Sequence, residues 1–189
     1  MPVFVSKFGG TSLANGENFQ NAISIVHKDK NRRVIVCSAP GKRHAADTKV
    51  TDLIINAFKK RDPRIFDAIK DRFLEIADVL KADIRDDLIM SRDAILSGND
   101  FMRAVSLGEY LSAKLFSIGA GYPFWDSKDA MYFENGEITG EKTKNALENA
   151  LQKHGRFVLP GFYGSDDRGN IFLFPRAAAT SQAQSRRIS

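Results

Sequence analysis

The sequence predicts an α/β fold, a three-layer sandwich whose central sheet is largely parallel. Two observations indicate this class. Short apolar runs alternate with segments in which apolar residues recur every three or four positions, and the first two runs flank a single helical segment. The chain has 189 residues, of which 43% are hydrophobic and 27% are charged. These values are typical of one globular domain or of part of a larger one.

The first predicted unit, a β-α-β arrangement, occupies residues 3–39. The apolar run at residues 3–8 predicts a buried strand that ends in a glycine turn. A helix follows, because four apolar residues have the spacing of one buried helix face: Phe19, Ala22, Ile23 and Val26. Residues 33–39 form a nearly continuous apolar run, which indicates a strand buried on both faces. We expect the two strands to be parallel neighbours.

The same alternation continues along the chain. Helices are predicted near residues 49–60, 83–96, 100–119 and 142–154. Another helix is indicated by five residues at steps of three and four: Phe66, Ile69, Phe73, Ile76 and Leu80. Strand-like segments lie at residues 122–125, 131–133 and 156–160, and a turn at residues 164–170 predicts a hairpin closed by residues 171–174.

Composition excludes several classes of protein. No apolar run approaches the roughly 20 residues that a membrane helix needs, and the N-terminus lacks the features of a signal peptide. We therefore expect a cytoplasmic protein that does not contact a membrane. The net charge is +5, but two of these charges fall on Arg186 and Arg187 near the C-terminus. No constellation of aromatic residues and arginines accompanies the charge, so nucleic-acid binding is not expected.

Neither an internal disulfide nor a structural zinc site is expected. The single Cys37 cannot form an internal disulfide. Three histidines stand far apart in helix-end or loop contexts, where we interpret them as structural or solvated: His27, His44 and His154. With no cysteine cluster, the chain does not predict a structural zinc site.

A cation and two glycines meet at the end of the first predicted strand. Lys7 is followed by Gly9 and Gly10, and Thr11 and Ser12 add hydroxyl groups. Backbone N–H groups of glycines can approach an anion closely and the next helix adds a positive dipole end, so the segment suits a phosphate. It is not the P-loop pattern, because the lysine precedes the glycines. The alternative is a tight glycine turn with a solvent-facing lysine.

Polar residues also follow the second predicted strand. Ser38 begins a segment that ends with Lys42, at the carboxyl edge where α/β sheets bind ligands. The alternative, which we favour for Lys42, is a polar turn on the surface. Thr48 and Thr51 stand where the next helix begins, so each is as readily a cap residue as a ligand contact.

Glu109 is the candidate from the middle of the chain. It points away from a leucine stripe formed by Leu107, Leu111 and Leu115, which normally indicates a solvated helix face. Gly108 leaves room for close approach, so the second interpretation is that this face borders a cleft.

These segments together resemble the aspartate kinase branch of the amino-acid kinase family. The matching motifs lie at residues 7–12, 36–42, 48–54, 106–115 and 161–176. They occur in the family's order and extend over residues 2–176. The start Lys-Phe-Gly-Gly-Thr-Ser and the segment Gly-Glu-Tyr-Leu-Ser point to the aspartate branch.

The resemblance implies the amino-acid kinase fold and phosphorylation of the side-chain carboxylate of L-aspartate by ATP, giving 4-phospho-L-aspartate. This reaction is the first step toward lysine, threonine and methionine, and the intact enzyme is expected to be a homo-oligomer. The phosphates of ATP, bridged by Mg²⁺, would be held by four residues: Lys7, the implied catalytic residue, with Gly9, Gly10 and Ser38. Aspartate would be held by three: Thr51, Glu109 through the ammonium group, and Arg176 through a carboxylate.

The resemblance ends after Arg176. The family continues with Gly-Gly-Ser-Asp-Ile-Thr-Gly, whereas residues 177–183 read Ala-Ala-Ala-Thr-Ser-Gln-Ala, with Thr180 in place of the aspartate. A single lost nucleotide accounts for this difference, because codons compatible with the tail become compatible with the family heptapeptide once one G is restored. We therefore expect residues 1–176 to be the N-terminal part of a kinase catalytic domain, followed by a non-native, disordered tail at residues 177–189. The chain as it stands is expected to lack appreciable kinase activity.

Other classes of function stay open at this point. One is another amino-acid kinase of the same fold, and a second is a non-catalytic fragment that docks on an intact kinase subunit. A third is a basic nucleic-acid binder, whose binding would fall steeply with salt.

Overall fold

Strands and helices alternate along residues 3–174, the part of the chain that the computed structural model describes. The strands are β1 (Phe4–Phe8), β2 (Arg32–Cys37), β3 (Phe133–Glu134), β4 (Glu137–Ile138), β5 (Phe157–Pro160), β6 (Tyr163–Ser165) and β7 (Ile171–Leu173). The α-helices are α1 (Gly16–His27), α2 (Val50–Lys60), α3 (Pro63–Leu80), α4 (Arg85–Ser97), α5 (Phe101–Ala120) and α6 (Gly140–His154). Short 3-10 helices lie at Gly10–Leu13 and Ser127–Asp129.

The central sheet is parallel and has the strand order β1-β2-β5. Lys7 lies opposite Val36 and Phe8 lies opposite Cys37, so the first two strands end side by side. This confirms the predicted β-α-β unit. The remaining strands form two small antiparallel hairpins, β3-β4 and β6-β7, of which the second was predicted.

Successive side chains of the strands point to opposite faces of the sheet, and a helical layer covers each face. On one face of the sheet, Ile35 and Val158 belong to the large core formed with α1 to α5. On the other face, Val34 and Phe157 pack with Ala150 of α6 in a smaller core. The sheet is therefore enclosed between a thick layer of five helices and a single helix, as expected for a three-layer sandwich.

Local capping explains where the helices begin and end. Asn15 accepts a hydrogen bond from the N–H of Asn18 at the start of α1. Asp100 does the same for Arg103 at the start of α5, directly after Gly98 ends α4 in the left-handed conformation. The predicted break between the two helices is confirmed.

Two segments of the sheet region differ from the sequence prediction. Residues 122–125 form only an isolated bridge between Phe124 and Val158, since Pro123 has no N–H to extend a ladder. Residues 131–133 were expected to be a strand piece, but β3 begins at Phe133 and pairs with β4 across Asn135 and Gly136. Both turn residues have positive φ, the geometry that an Asn-Gly pair favours in a two-residue hairpin.

The helices of residues 3–174 include none whose length and apolar character would allow it to cross a membrane.

Candidate active site

A cavity of ≈ 530 Å³ opens at the carboxyl ends of the parallel strands. Four of the residues that the sequence singled out line it: Lys7, Ser38, Thr51 and Glu109. They come from four segments, namely β1, the loop after β2, α2 and α5. This is the edge at which open α/β sheets bind their ligands.

Lys7 and Ser38 are neighbours because of the strand register. Lys7 lies opposite Val36, and the N–H of Ser38 donates to the carbonyl of Phe8 at 3.1 Å. The side chain of Lys7 is exposed and that of Ser38 is half-buried. The adjacent ends of β1 and β2 therefore bring a cation and a hydroxyl to the same cavity.

Glu109 is buried, with 6% of its surface exposed, so the solvated-face interpretation is wrong. The physical reason is the position of α5, which packs against α1, α2, α3, α4 and β5 and buries residues on all of its sides. A Cβ on Gly108 would lie 2.9 Å from the Cβ of Ala39, which shows how closely α5 approaches the loop after β2. The face that carries Glu109 borders a cleft.

Thr51 is half-buried and lies in the first turn of α2. The cap position belongs to Lys49, whose side chain makes no capping hydrogen bond, so neither Thr48 nor Thr51 is the cap residue.

Lys42 is exposed and donates to the carbonyl of Ala45 at 3.2 Å, in agreement with the surface interpretation.

The two glycines after β1 have different surroundings, and neither lines the cavity. A Cβ on Gly10 would lie 2.8 Å from the carbonyl oxygen of Ala39, and the carbonyl of Gly10 accepts a hydrogen bond from the N–H of Gly41 at 2.8 Å. A Cβ on Gly9 would meet no atom within 4 Å. Gly10 thus lets the two loops pack together, whereas the space beside Gly9 is open.

Sequence reasoning missed several residues of the cavity wall. Lys49 and Asp52 flank Thr51 at the start of α2, and Gly161, Phe162 and Tyr163 follow the carboxyl end of β5. Two signals could have identified them: the side chains next to Thr51 on the same helical turn, and the rule that all parallel strands of a sheet present their carboxyl ends to one site.

Tyr163 is anchored behind the cavity. Its hydroxyl donates to Oδ1 of Asp126 at 2.8 Å, and its side chain is buried. Burial raises the pKa of the Tyr163 phenol well above its ordinary value, and the nearby carboxylates of Asp126 and Glu109 add to this effect. The phenol is therefore neutral and serves as a wall and a hydrogen-bond donor.

Neither a metal cluster nor an activated thiol occurs among the described residues. Within residues 3–174 no three histidine, cysteine, aspartate or glutamate side chains come together as a metal cluster. Burial raises the pKa of the Cys37 thiol, which makes it a poor nucleophile.

Arg176, the predicted carboxylate-binding residue, lies outside the described residues, as does the segment 177–189 that was expected to be a non-native tail.

Comparison with known proteins agrees with this architecture. The model of the amino acid kinase family matches residues 2–179. The chain is similar to aspartokinase 3 of Bacillus subtilis (strain 168), with 32% identity over 198 aligned positions covering 93% of this chain and 43% of the relative. It is 27% identical to the aspartokinase of Chlamydia pneumoniae, covering 97% of this chain and 44% of the relative.

Solved structures share the fold. The aspartate kinase of Clostridium acetobutylicum has a TM-score of 0.87 at 30% identity, covering 93% of this chain and 42% of that protein. Aspartokinase III of E. coli in complex with aspartate and ADP has a TM-score of 0.75 at 23% identity, covering 92% and 44%. The chain thus spans less than half the length of these relatives. Since the family model matches nearly all of its residues and the fold agrees, the chain belongs to the amino acid kinase family.

Proposed function

We propose that this chain carries part of the active site of an aspartate kinase, which transfers the γ-phosphoryl group of ATP to the side-chain carboxylate of L-aspartate. The observation that carries the proposal is the convergence of Lys7, Ser38, Thr51 and Glu109 on one cavity at the carboxyl edge of the sheet. The similarity to aspartokinases from two bacteria supports the choice of L-aspartate over other substrates.

The phosphates of ATP would lie along the β1 side of the cavity. In the cavity wall, Lys7 supplies a positive charge and Ser38 a hydroxyl. Gly9 and Gly10 lie beyond this wall, just after β1, and would supply backbone N–H groups to the end of the phosphate chain. Mg²⁺ usually binds through one or two carboxylates together with the phosphates of its substrate. Asp52 is a carboxylate in the cavity wall, so the described residues fit an ion that arrives with the nucleotide, and its role would be to neutralise phosphate charge.

L-Aspartate would bind between α2 and α5. The buried carboxylate of Glu109 would pair with the substrate ammonium group, because an ion pair is stronger where water is excluded. Thr51 would donate to a substrate carboxylate, and Arg176 would hold a carboxylate through its two parallel N–H groups.

The chemistry needs little beyond placement and charge compensation. The aspartate carboxylate is ionised at neutral pH and is already a nucleophile, so no general base has to remove a proton. The attacking oxygen forms a bond to the γ-phosphorus while the bond to the β-γ bridging oxygen breaks. The products are 4-phospho-L-aspartate and ADP. Lys7 and the glycine segment are proposed to hold the phosphates of ATP and to neutralise the charge that develops on the departing ADP.

The activity would belong to the cytoplasmic synthesis of lysine, threonine and methionine. As in the expectation from sequence, we propose that the intact enzyme is a homo-oligomer.

The test joins residues 1–176 in frame to the downstream part of the Bacillus subtilis relative. With ATP and Mg²⁺, hydroxylamine should trap an acyl phosphate formed from L-aspartate and not from L-glutamate. Replacing Glu109 by Gln should raise the KM for L-aspartate at least about tenfold, because loss of one partner of a buried charge pair costs several kcal/mol.

Two outcomes would contradict the proposal. Trapping with another amino acid in place of L-aspartate would indicate a different amino-acid kinase. A folded fusion protein that traps no acyl phosphate, beside an active native relative, would indicate a non-catalytic binding fragment.

A further inference from the structure

Arg72 is a charged residue buried in the helical layer, with 3% of its surface exposed. It lies on α3, three residues after Ile69 and four before Ile76, and so on the apolar face of that helix. Its guanidinium makes four hydrogen bonds. Nε and Nη2 donate to the carbonyl of Ala14 at 3.1 and 2.9 Å, Nη2 donates to the carbonyl of Gly41 at 2.6 Å, and Nη1 donates to Oδ2 of Asp47 at 2.7 Å.

The acceptors belong to the two loops that follow β1 and β2. Ala14 ends the 3-10 helix that begins at Gly10, directly after β1. Gly41 and Asp47 lie in the connection between β2 and α2. This connection begins at Ser38. One guanidinium therefore joins the two loops on which the proposed phosphate-binding residues stand.

The hydrogen bonds from Arg72 to the two loops are called the Arg72 clamp below. Other contacts hold the residues of this clamp in place. Gly41 donates its N–H to the carbonyl of Gly10 at 2.8 Å, next to the point where Arg72 holds the carbonyl of the same Gly41. Asp47 is further fixed by Arg43, through both the backbone N–H at 2.8 Å and Nε at 3.0 Å. The Arg43 side chain in turn contacts Glu75 of α3 at 2.9 Å. Each loop is thus tied to α3 and to the other loop.

We propose that Arg72 is a positioning residue of the phosphate site, which fixes the spacing between the Gly9–Gly10 segment and Ser38 so that both face the same phosphate chain. The inference rests on the proposed function. Lysine cannot replace arginine in this role, because a planar guanidinium places its N–H donors on three separate nitrogens that reach three acceptors, whereas an ammonium carries all its donors on one nitrogen.

The test compares Arg72→Lys and Arg72→Met with Arg64→Lys in the full chain. Arg64 is the matched control, since it lies on the same helix, pairs with Asp62 and has a side chain that is 89% exposed. Calorimetric titration would use inorganic tripolyphosphate, which lacks a base and reports on the phosphate site alone, Mg·ATP and L-aspartate. Amide hydrogen exchange would follow the N–H groups of Gly41 and of α3 in the same proteins.

We expect Arg72→Lys to weaken tripolyphosphate and Mg·ATP binding by about tenfold, because the loops that carry the phosphate-binding residues would be displaced. L-Aspartate binding should change less than about threefold. Exchange at the Gly41 N–H should rise at least about tenfold with no change in α3. Asp47→Asn, which keeps the shape of the side chain, should produce a smaller change in the same direction and provides the comparison if Arg72→Met does not fold.

Unchanged exchange at Gly41 in a folded Arg72→Lys protein would overturn the clamp. Equal weakening of phosphate and L-aspartate binding would also overturn it, because that pattern indicates general loss of structure. If the unsubstituted chain binds L-aspartate but not tripolyphosphate, the phosphate-site role of Arg72 is refuted. If it binds neither ligand, the phosphate-site role of Arg72 in this chain is likewise refuted, whereas the proposed function is decided separately by acyl-phosphate trapping in the fusion protein.

Discussion

Four charged side chains of the described residues line the cavity, and Glu109 is the buried one among them. Lys7 and Lys49 line the cavity and are exposed, whereas Glu109 is buried in the wall. Electrostatic interactions strengthen as water is excluded. We therefore expect Glu109 to discriminate among ligands and the lysines to contribute mainly to attraction of phosphates.

Replacing Lys7 by Ala in the fusion protein should lower kcat about 100-fold, because removal of one electrostatic group at a reacting phosphate typically has an effect of this size. Lys30 provides the control, since it is an exposed lysine before the amino end of β2, away from the cavity. Lys30→Ala should leave turnover within about twofold. Near-normal kinetics of the Lys7 variant in the hydroxylamine assay would refute its role.

Asp47 makes the stability of the loops sensitive to acid. Hydrogen bonds from Arg43, followed by those from Arg72, hold the pKa of the Asp47 carboxyl well below its usual range. A carboxyl whose pKa is lower in the folded state stabilises the fold above its unfolded pKa of about 3.9, and this contribution is lost as the pH falls toward the folded value.

Urea midpoints at pH 3, 4 and 7 would measure this effect. We expect Asp47→Asn to lower the midpoint at pH 7 and to have a smaller effect at pH 3, so that the variant depends less on pH than the parent. Asp83→Asn is the control, because Asp83 forms an exposed pair with Arg85, and exposed pairs contribute little. A parallel pH dependence for the parent and the Asp47 variant would contradict the assignment.

At the scale of elements, the site depends on how two loops pack against each other. The 3-10 helix after β1 and the connection after β2 touch at Gly10 and Gly41, with backbone atoms that leave no room for a side chain. This contact is the reason that the carboxyl ends of two neighbouring strands form one surface.

Replacing Gly9 and Gly10 by alanine, one at a time, distinguishes a glycine needed for loop packing from one needed for ligand access. Gly10→Ala should destabilise the fold by about 1–3 kcal/mol, since its Cβ would lie 2.8 Å from the carbonyl oxygen of Ala39. Gly9→Ala should leave stability unchanged or raise it by up to about 1 kcal/mol, because Gly9 has φ −76° and ψ 167° and an open surrounding space. The free energy of unfolding in urea measures both changes.

The same pair tests the phosphate site. Gly9→Ala should weaken tripolyphosphate binding despite its stable fold, because the methyl group would occupy space that a phosphate oxygen needs. Equal stability of the two variants would contradict the packing argument, and unaltered binding by Gly9→Ala would contradict the contact with phosphate.

At the scale of the whole molecule, the two outer layers cover the sheet unevenly. Helix α6 packs on β2 and β5, while β1 lies at the sheet edge with no second strand partner among residues 3–174. Val5 is paired with Val34 yet 65% exposed, and Phe4 is 48% exposed. An open strand edge with apolar side chains favours association between chains.

We expect the isolated chain to bind a hydrophobic dye and to self-associate in sedimentation experiments. Val5→Lys should reduce both, since a charged residue on an edge strand opposes pairing. Ile89→Lys is the matched control, because Ile89 is 61% exposed on α4 away from the sheet edge, and it should have little effect. A monomeric chain without dye binding would contradict this prediction.

Much of this architecture was predictable because its signals are local. The four residues predicted for the buried face of α1 are all buried, and Gly98 to Asp100 separate α4 from α5, within the break expected at residues 97–100. The strand prediction at residues 122–125 was wrong, because Pro123 limits the ladder. The β3-β4 hairpin was not predicted, although its Asn-Gly pair is a local turn signal.

The order of strands and helices, and the strand ends beside which Lys7 and Ser38 lie, follow from the amino-acid pattern alone, because apolar periodicity and glycine placement act over a few residues. The packed fold was needed to show that Glu109 is buried, that Gly10 packs while Gly9 is open, and that Arg72 joins two loops. These properties depend on atoms brought together from distant parts of the chain. Whether a polar side chain on a helix meets water, a ligand or a carbonyl is set by what packs against that helix, which its own periodicity does not specify.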